Sequence, residues 1–170
     1  QLAVLLFVFG SSMAFAQNKL APETLWQMGR VADPVTSPDG KMVVYSVTRY
    51  NIQANKGNTD LFVVPVAGGE AKQITTSFSS ESNARWRPDG KKIGYIGMET
   101  GTPQLWEMNA DGSDNKQITN FKNGVVNFNY SPKGNMIYFT QDIKIYQSST
   151  KQEITSNPEL VIELLNKELI

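Results

Sequence analysis

Two aspartates, Asp39 and Asp89, stand out because each precedes a glycine in a matching tetrapeptide. Two carboxylates could act together as general acid and general base. These two residues occupy equivalent turn positions in separate repeats, where an aspartate commonly accepts hydrogen bonds from its own backbone. The pattern therefore favours a turn-capping role over catalysis.

A second set of oxygen-bearing side chains occurs at alternate positions, as in calcium-binding loops: Asn109, Asp111, Ser113 and Asn115. A calcium loop of this type also needs a glycine at its sixth position and a bidentate glutamate at its end. Both are missing from this sequence. The segment is therefore expected to be a hairpin turn, and no metal site is predicted.

Histidine and cysteine are both absent from the 170 residues. Without histidine there is no imidazole general base, no imidazole metal ligand and no Ser-His-Asp triad. No G-x-S-x-G nucleophile motif occurs either. We therefore predict no catalytic, cofactor-binding or metal-binding residue, and we expect the chain to be inactive by itself. Without cysteine, the fold must rest on burial and hydrogen bonds.

A repeat organises the middle of the chain. The segments Ser37–Gly40, Arg87–Gly90 and Ser131–Gly134 align, with their prolines 50 and 44 residues apart. The sequence K-Q-I-T follows at 72–75 and 116–119, and a looser Q-E-I-T occupies 152–155. Repeats of this length that are built from strands are typical of β-propeller blades.

Each repeat contains short apolar or alternating segments separated by turn residues, which indicates strands. The second repeat shows four such segments, and the long polar stretch from Thr48 to Thr59 in the first is expected to be a loop. The third is predicted to have strands at 136–140, 143–146 and 153–155. The fold class is therefore all-β, a partial β-propeller whose three four-stranded blades do not close a ring. Its blades span 35–156, at about 35–75, 82–119 and 126–155.

Five aromatic residues could form a stacking surface for a sugar or a peptide: Tyr45, Phe62, Trp86, Tyr95 and Trp106. In a propeller, aromatic residues at strand positions more often fill the layer between neighbouring blades. We expect these five side chains to pack between blades.

The N-terminal segment resembles an export signal. An apolar run at 2–9 precedes Ala14-Phe15-Ala16, a small-x-small cleavage site. We predict a signal peptide over residues 1–16, with its charged start missing because the chain begins at Gln1. The mature chain would begin at Gln17, with no membrane span after signal removal and a periplasmic or secreted location.

Short helices are predicted on both sides of the blades. Residues 17–34 form a helical lead-in, with Pro22 at an early helical position. At the other end, Asn157 is a suitable N-cap for a helix over 157–170. Sixteen basic and sixteen acidic residues give no net charge, which argues against a nucleic-acid partner.

The segments PETLWQMGRVADPVTSPDGKMVVYSVTRY (22–50) and NTDLFVVPVAGG (58–69) resemble the start of the propeller domain in secreted serine peptidases of the prolyl oligopeptidase family. The resemblance covers residues 19–140 and is greatest to the dipeptidyl-peptidase and acylaminoacyl-peptidase branch. The Ser-Pro-Asp-Gly repeat is also similar to the repeat of TolB-type propellers.

This resemblance implies a further C-terminal α/β-hydrolase domain in the same polypeptide, which would carry the catalytic serine. The propeller would then gate the access of short peptide substrates. The alternative is a non-catalytic, TolB-like propeller that serves as a protein-interaction platform in the cell envelope. Because three blades leave strand edges and apolar faces uncovered, we also expect self-association into a homo-oligomer.

Overall fold

The computed structural model describes residues 21–142. Their elements are, in chain order, α1 (Pro22–Gln27), β1 (Arg30–Thr36), β2 (Met42–Asn51), β3 (Lys56–Pro65), β4 (Lys72–Gln73), β5 (Glu81–Trp86), β6 (Lys92–Gly97), β7 (Gln104–Asn109), β8 (Lys116–Gln117), β9 (Asn127–Tyr130) and β10 (Ile137–Thr140). The predicted signal peptide, the strands at 143–146 and 153–155 and the helix over 157–170 lie outside the described residues. No helix within 21–142 is long and apolar enough to cross a membrane.

The strands form three antiparallel sheets, each made of consecutive strands. The first two have four strands in the orders β1-β2-β3-β4 and β5-β6-β7-β8, and the third pairs β9 with β10. Each sheet is a propeller blade, and the described blades do not close a ring. The predicted all-β partial propeller is therefore confirmed, with two complete blades and two strands of a third.

The helical lead-in is shorter than the sequence suggested. Its helix ends at Gln27, and Arg30 already pairs with Thr48 as the start of β1. Pro34 lies inside this strand, where a proline is tolerated because the strand is at the sheet edge and carries a β-bulge. The bulge also interrupts the alternation of apolar and polar residues by which the strand could have been recognised.

The expected loop from Thr48 to Thr59 is instead a continuation of the β2–β3 hairpin. The two strands stay in register as far as the pair Asn51–Lys56. The Thr48 and Thr59 hydroxyl groups lie opposite each other and share a hydrogen bond of 2.8 Å. Cross-strand pairs of this kind stabilise a polar hairpin that lacks a strong hydrophobic pattern.

The three repeated tetrapeptides form the same turn. In each, the glycine N–H donates to the carbonyl of the first residue at 2.8–2.9 Å, and the glycine has φ 70°. This left-handed conformation suits glycine because it has no Cβ. The turns connect the first strand of each blade to the second.

The K-Q-I-T motifs attach the outer strand of a blade to the third strand of the same blade. The Thr75 and Thr119 hydroxyl oxygens accept the N–H groups of Leu61 and Leu105 at 2.8 and 2.9 Å. In the first motif, Ile74 is buried in the core, and its N–H donates to the carbonyl of Leu61. The motif therefore adds hydrogen bonds to the outer strand of each blade, β4 or β8, which is itself only two residues long.

Two apolar layers hold the blades together. The layer between the first and second blades contains Val44, Leu61 and Val63 from one side and Ile93 and Tyr95 from the other. The layer between the second and third blades contains Ile96, Leu105, Val125, Phe128, Tyr130 and Phe139. Since side chains alternate along each strand, the second blade contributes one face to each layer.

The predicted inter-blade position is confirmed for three of the five aromatic residues. Trp86 and Tyr95 are buried between the first two blades, and Trp106 packs against them. Tyr45 and Phe62 differ, because they stack on each other on the opposite face of the first blade, with ring centroids 5.7 Å apart. Among the described residues no blade covers that face.

Candidate functional site at the propeller axis

The first strands of the blades line the centre of the structure. The Trp86 indole N–H donates to the Val35 carbonyl at 3.0 Å and links β5 to β1. The Asn83 side-chain amide donates to Asn127 Oδ1 at 2.6 Å and links β5 to β9. Since β5 also contacts both β1 and β9, these three strands form the inner wall around the axis.

A β-bulge recurs at the same place in two of these inner strands. The register shifts between Ala32 and Val35 in β1 and between Ser82 and Arg85 in β5. Each bulge contains a non-glycine residue in the left-handed region. This residue is Asp33 in β1, with φ 51°, and Asn83 in β5, with φ 55°. Bulges bend a strand and change the direction of a side chain.

Asp33, Asn83 and Asn127 occupy one repeat position, five residues before the proline of each tetrapeptide turn. We call these three residues the axial ring. Asn127 differs from the other two in that its backbone is not left-handed, and its Oδ1 also accepts the N–H of Phe128 at 2.8 Å. The ring thus places one carboxylate and two carboxamides on the inner wall.

The axial ring retains hydrogen-bonding capacity. Within residues 21–142, no hydrogen bond engages the Asp33 carboxylate, Asn83 Oδ1 or Asn127 Nδ2. Arg85 lies beside the ring and shares with Asn127 a cavity of about 290 Å³, which is also lined by Asn129, Tyr138 and Thr140. The inner wall therefore presents both donors and acceptors.

A polar cluster lies between the second and third blades. The Tyr130 hydroxyl donates to Glu107 Oε1 at 2.9 Å, and the buried Glu107 carboxylate is also 3.5 Å from the Arg87 guanidinium and 3.7 Å from Lys92 Nζ. Burial raises the pKa of Tyr130, and the Glu107 charge raises it further. Gly94, opposite Glu107 in the β6–β7 ladder, leaves room for the Tyr130 hydroxyl.

Glu81 forms a second buried polar site, in the connection between the first two blades. Its carboxylate accepts hydrogen bonds from the Thr75 hydroxyl at 2.7 Å and from the Ser77 hydroxyl at 2.6 Å. Burial raises the pKa of Glu81, although both hydrogen bonds act in the opposite direction. The side chain fixes the start of β5 relative to the outer strand β4.

The two aspartates considered for acid–base chemistry remain in separate turns. Asp39 accepts the N–H of Lys41 at 3.1 Å, and Asp89 accepts that of Lys91 at 2.9 Å. A hydrogen bond from the Ser37 hydroxyl lowers the pKa of Asp39, and one from the Arg87 guanidinium lowers that of Asp89. Their turn-capping role is confirmed.

The segment with calcium-like spacing is the β7–β8 hairpin. Asp111 Oδ1 accepts both the N–H and the hydroxyl of Ser113, at 2.9 and 2.6 Å. The Asn109 amide donates to the same hydroxyl at 2.9 Å. Asn115 instead accepts the Tyr95 hydroxyl at 2.9 Å. Over the part of the chain that the structure describes, no group of three acidic side chains is placed to hold a metal.

The axial ring and the Glu107 cluster were not recognised from the sequence. For the ring, a signal was present, since an Asp or Asn recurs five residues before each turn proline. For Glu107 no comparable signal exists, because Arg87 comes from another turn of the same blade and Tyr130 from the next blade, at unrelated spacings.

Comparison with known proteins places this geometry in a family. Residues 26–166 match the family model of the TolB beta propeller domain. The chain belongs to the TolB β-propeller family. This TolB-type propeller is 36% identical over 143 residues to dipeptidyl-peptidase 5 of Porphyromonas endodontalis. That alignment covers 84% of this chain, which spans about a fifth (20%) of the relative's length.

Solved structures show the same fold. An acylaminoacyl peptidase in complex with Z-Gly-Gly-Phe-chloromethyl ketone superimposes with a TM-score of 0.61 and 22% identity, over 76% of this chain and 20% of that one. A putative TolB from Agrobacterium tumefaciens superimposes with a TM-score of 0.55 and 23% identity, over 71% of this chain and 41% of that one. The same fold thus occurs both in an acylaminoacyl peptidase and in a putative TolB.

Proposed function

We propose that this TolB-type propeller is part of an exported serine peptidase of the prolyl oligopeptidase family and limits which peptides reach a hydrolase domain. The observation that carries the proposal is the 36% identity to a dipeptidyl-peptidase of which this chain spans a fifth. In this assignment the acyl-transfer chemistry belongs to a domain outside the 170 residues, and the propeller contributes steric selection.

The structure of the described blades supports a steric role. The blades are joined by two apolar layers and by inter-blade hydrogen bonds, such as that between Trp86 and the Val35 carbonyl. Close packing of this kind has low compressibility, so the inner wall is expected to be rigid. An extended peptide would then pass its polar inner surface, whereas a folded protein would be excluded by size.

The experiment is to treat the full-length protein with a fluorophosphonate probe and to follow release of p-nitroaniline from dipeptide p-nitroanilides. We expect one serine outside residues 1–170 to be labelled, with loss of hydrolysis in proportion to labelling. A full-length protein that is neither labelled nor active would exclude the peptidase assignment.

A second candidate function is a non-catalytic interaction platform in the cell envelope, which the match to the putative TolB structure favours. The same labelling experiment separates the two functions. A platform would remain unlabelled, yet it would form a stoichiometric complex with an envelope protein, detectable by cross-linking in intact cells. Fractionation of those cells also tests the proposed export, since a protein found only in the cytoplasm would contradict it.

A further inference from the structure

We propose that Asn123 is a modification site, at which the side chain deamidates spontaneously and the product weakens the joint between the second and third blades. The inference goes beyond the proposed function and does not depend on it, because the reaction needs only water and this chain. It is carried by a comparison of four turns that share one backbone conformation and differ in their side chains.

The chain contains four dipeptides in which an aspartate or asparagine precedes a glycine. These dipeptides are Asp39-Gly40, Asp89-Gly90, Asp111-Gly112 and Asn123-Gly124. In each, the glycine N–H donates to the carbonyl three residues earlier at 2.8–3.0 Å, and the glycine is left-handed, with φ between 70° and 87°. The residue before the glycine is exposed to water in all four. Differences in reactivity must therefore come from the side chains.

In three of these turns the carboxylate is held by the N–H group two residues further on. It accepts this N–H at 2.9–3.1 Å in the pairs Asp39–Lys41, Asp89–Lys91 and Asp111–Ser113. Further hydrogen bonds, from the side chains of Ser37, Arg87 and Ser113, lower the pKa of the three carboxyl groups. Since the ordinary pKa of aspartate is already about 3.9, fewer than about one in a thousand of these groups is protonated at neutral pH. A carboxylate has no leaving group, so these side chains resist cyclisation.

Asn123 lacks the corresponding restraint. The N–H of Val125, two residues further on, donates instead to the Pro103 carbonyl at 2.8 Å, so it does not hold the Asn123 carboxamide. A carboxamide is also uncharged at neutral pH and can lose ammonia, which is one reason why asparagine is a thermolabile residue. Of the four dipeptides, Asn123-Gly124 is therefore the one prepared for reaction.

The reaction proceeds through a cyclic imide. The Gly124 nitrogen loses its proton and bonds to the side-chain carbonyl carbon of Asn123, while the bond from that carbon to the amide nitrogen breaks and ammonia leaves. Water then opens the imide at one of its two carbonyl carbons. Opening at the side-chain carbonyl gives aspartate, and opening at the main-chain carbonyl gives isoaspartate. One water is consumed and one ammonia is released, and the residue gains a negative charge.

The linker that contains this dipeptide joins two blades. The Gln141 side chain donates to the Gly124 carbonyl at 2.7 Å, and the Val126 N–H donates to the Thr140 carbonyl at 2.8 Å, so the third blade is tied to the linker. Gly124 has no room to move toward the second blade, since a Cβ there would lie 2.8 Å from the Pro103 carbonyl oxygen. Isoaspartate lengthens the main chain by one methylene group directly before Gly124. It must therefore displace these contacts.

The test is mass-spectrometric peptide mapping of the full-length protein after incubation in mildly alkaline buffer, with fragmentation that distinguishes isoaspartate from aspartate. We expect conversion at Asn123, while Asp39, Asp89 and Asp111 stay unchanged over the same period. Asp39→Asn is the matched control, because it places a second asparagine before a glycine in a turn where the Lys41 N–H still holds the side chain. This asparagine should deamidate about tenfold more slowly than Asn123, since its hydrogen bonds must break first. In urea the two rates should become similar.

The effect on the joint is measured by hydrogen exchange on the isoaspartate form, separated from the aged protein by chromatography. We expect faster exchange in β9 and β10 than in the unmodified protein, with β2 and β3 unchanged. Asn123→Asp is the control, because it carries the new charge without the extra methylene group. It should exchange like the unmodified protein.

Four results would overturn the proposal. The first is an Asn123 that stays intact in the folded protein while it reacts in urea. The second is isoaspartate that forms first at one of the three aspartates. The third is deamidation of Asp39→Asn at the rate of Asn123 in the folded protein. The fourth is an isoaspartate form whose β9 and β10 exchange no faster than those of Asn123→Asp.

Discussion

The Tyr130 hydroxyl of the third blade donates a 2.9 Å hydrogen bond to the Glu107 carboxylate of the second. The contact exists because Gly94 presents no Cβ to the tyrosine hydroxyl. Arg87 and Lys92 lie within 3.5–3.7 Å of the same carboxylate, so the buried charge is compensated. An apolar layer and a hydrogen bond to a buried charge thus act together to hold these two blades in one position.

Tyr130→Phe tests this contact, because it removes the hydroxyl and keeps the ring in the apolar layer. We expect a loss of about 1.5–3 kcal/mol in the free energy of unfolding, as for a buried hydrogen bond to a charged group. Urea unfolding would measure it, with the half-exposed Tyr138 changed to Phe as the control. In a double-mutant cycle with Glu107→Met, which removes the acceptor oxygen, additive effects would show that the two side chains do not interact.

Gly94→Ala tests the space that the glycine provides. The new methyl group would overlap with the Tyr130 hydroxyl and lie 3.0 Å from the Phe128 ring. We expect a cost of about 1–3 kcal/mol, which is typical of overpacking. The same substitution in a Tyr130→Phe background should cost less, because the nearest clashing atom is gone. An equal cost in both backgrounds would contradict this explanation.

Gly40→Ala tests the backbone of the repeated turn alone. Gly40 has φ 70°, and a Cβ there would have no neighbour within 4 Å. The expected loss is therefore about 1–2 kcal/mol from the left-handed conformation. Gly40→Asn should lose less, since asparagine adopts this region more readily. Thermal unfolding of both variants measures the difference, and an alanine variant as stable as the glycine protein would refute the assignment.

Glu81→Gln should change how stability depends on pH. Burial raises the pKa of Glu81 in the folded state. The stability that this raised pKa contributes is therefore fully present below the unfolded-state pKa of about 4.3. The contribution is lost as the pH rises through the folded-state value. The free energy of unfolding of Glu81→Gln should therefore rise relative to that of the wild type as the pH increases from the unfolded-state pKa through the folded-state pKa. The exposed Glu70→Gln is the control, and parallel stability curves for Glu81→Gln and wild type would argue against a raised pKa.

Much of the fold could be predicted because its turns are encoded locally. The Pro-Asp-Gly and Pro-Lys-Gly segments specify tight turns through fixed φ values and a left-handed glycine, and the structure has these turns at all three repeats. Strand β1 was missed because its bulge and Pro34 interrupt the alternation, and its place in the sheet depends on pairing with β2. The upper part of the β2–β3 hairpin was missed because polar cross-strand pairs leave no hydrophobic pattern.

The candidate site was harder to predict than the fold. The repeat made the turn aspartates Asp39 and Asp89 conspicuous, yet each only caps its own turn. The repeat also contained Asp33, Asn83 and Asn127, and only the assembled blades show that Asn83 and Asn127 share a hydrogen bond. A side chain such as Glu107, whose partners come from another turn and another blade, has no signature in a single sequence.

The most direct test of the proposed function is the dependence of hydrolysis on peptide length in the full-length protein. Peptides with one shared N-terminal sequence and lengths from four residues to a folded domain would be compared by kcat/KM. If the propeller limits access, kcat/KM should fall steeply with length, and the folded domain should not be cleaved. Cleavage of the folded domain at the rate of the short peptides would contradict the account.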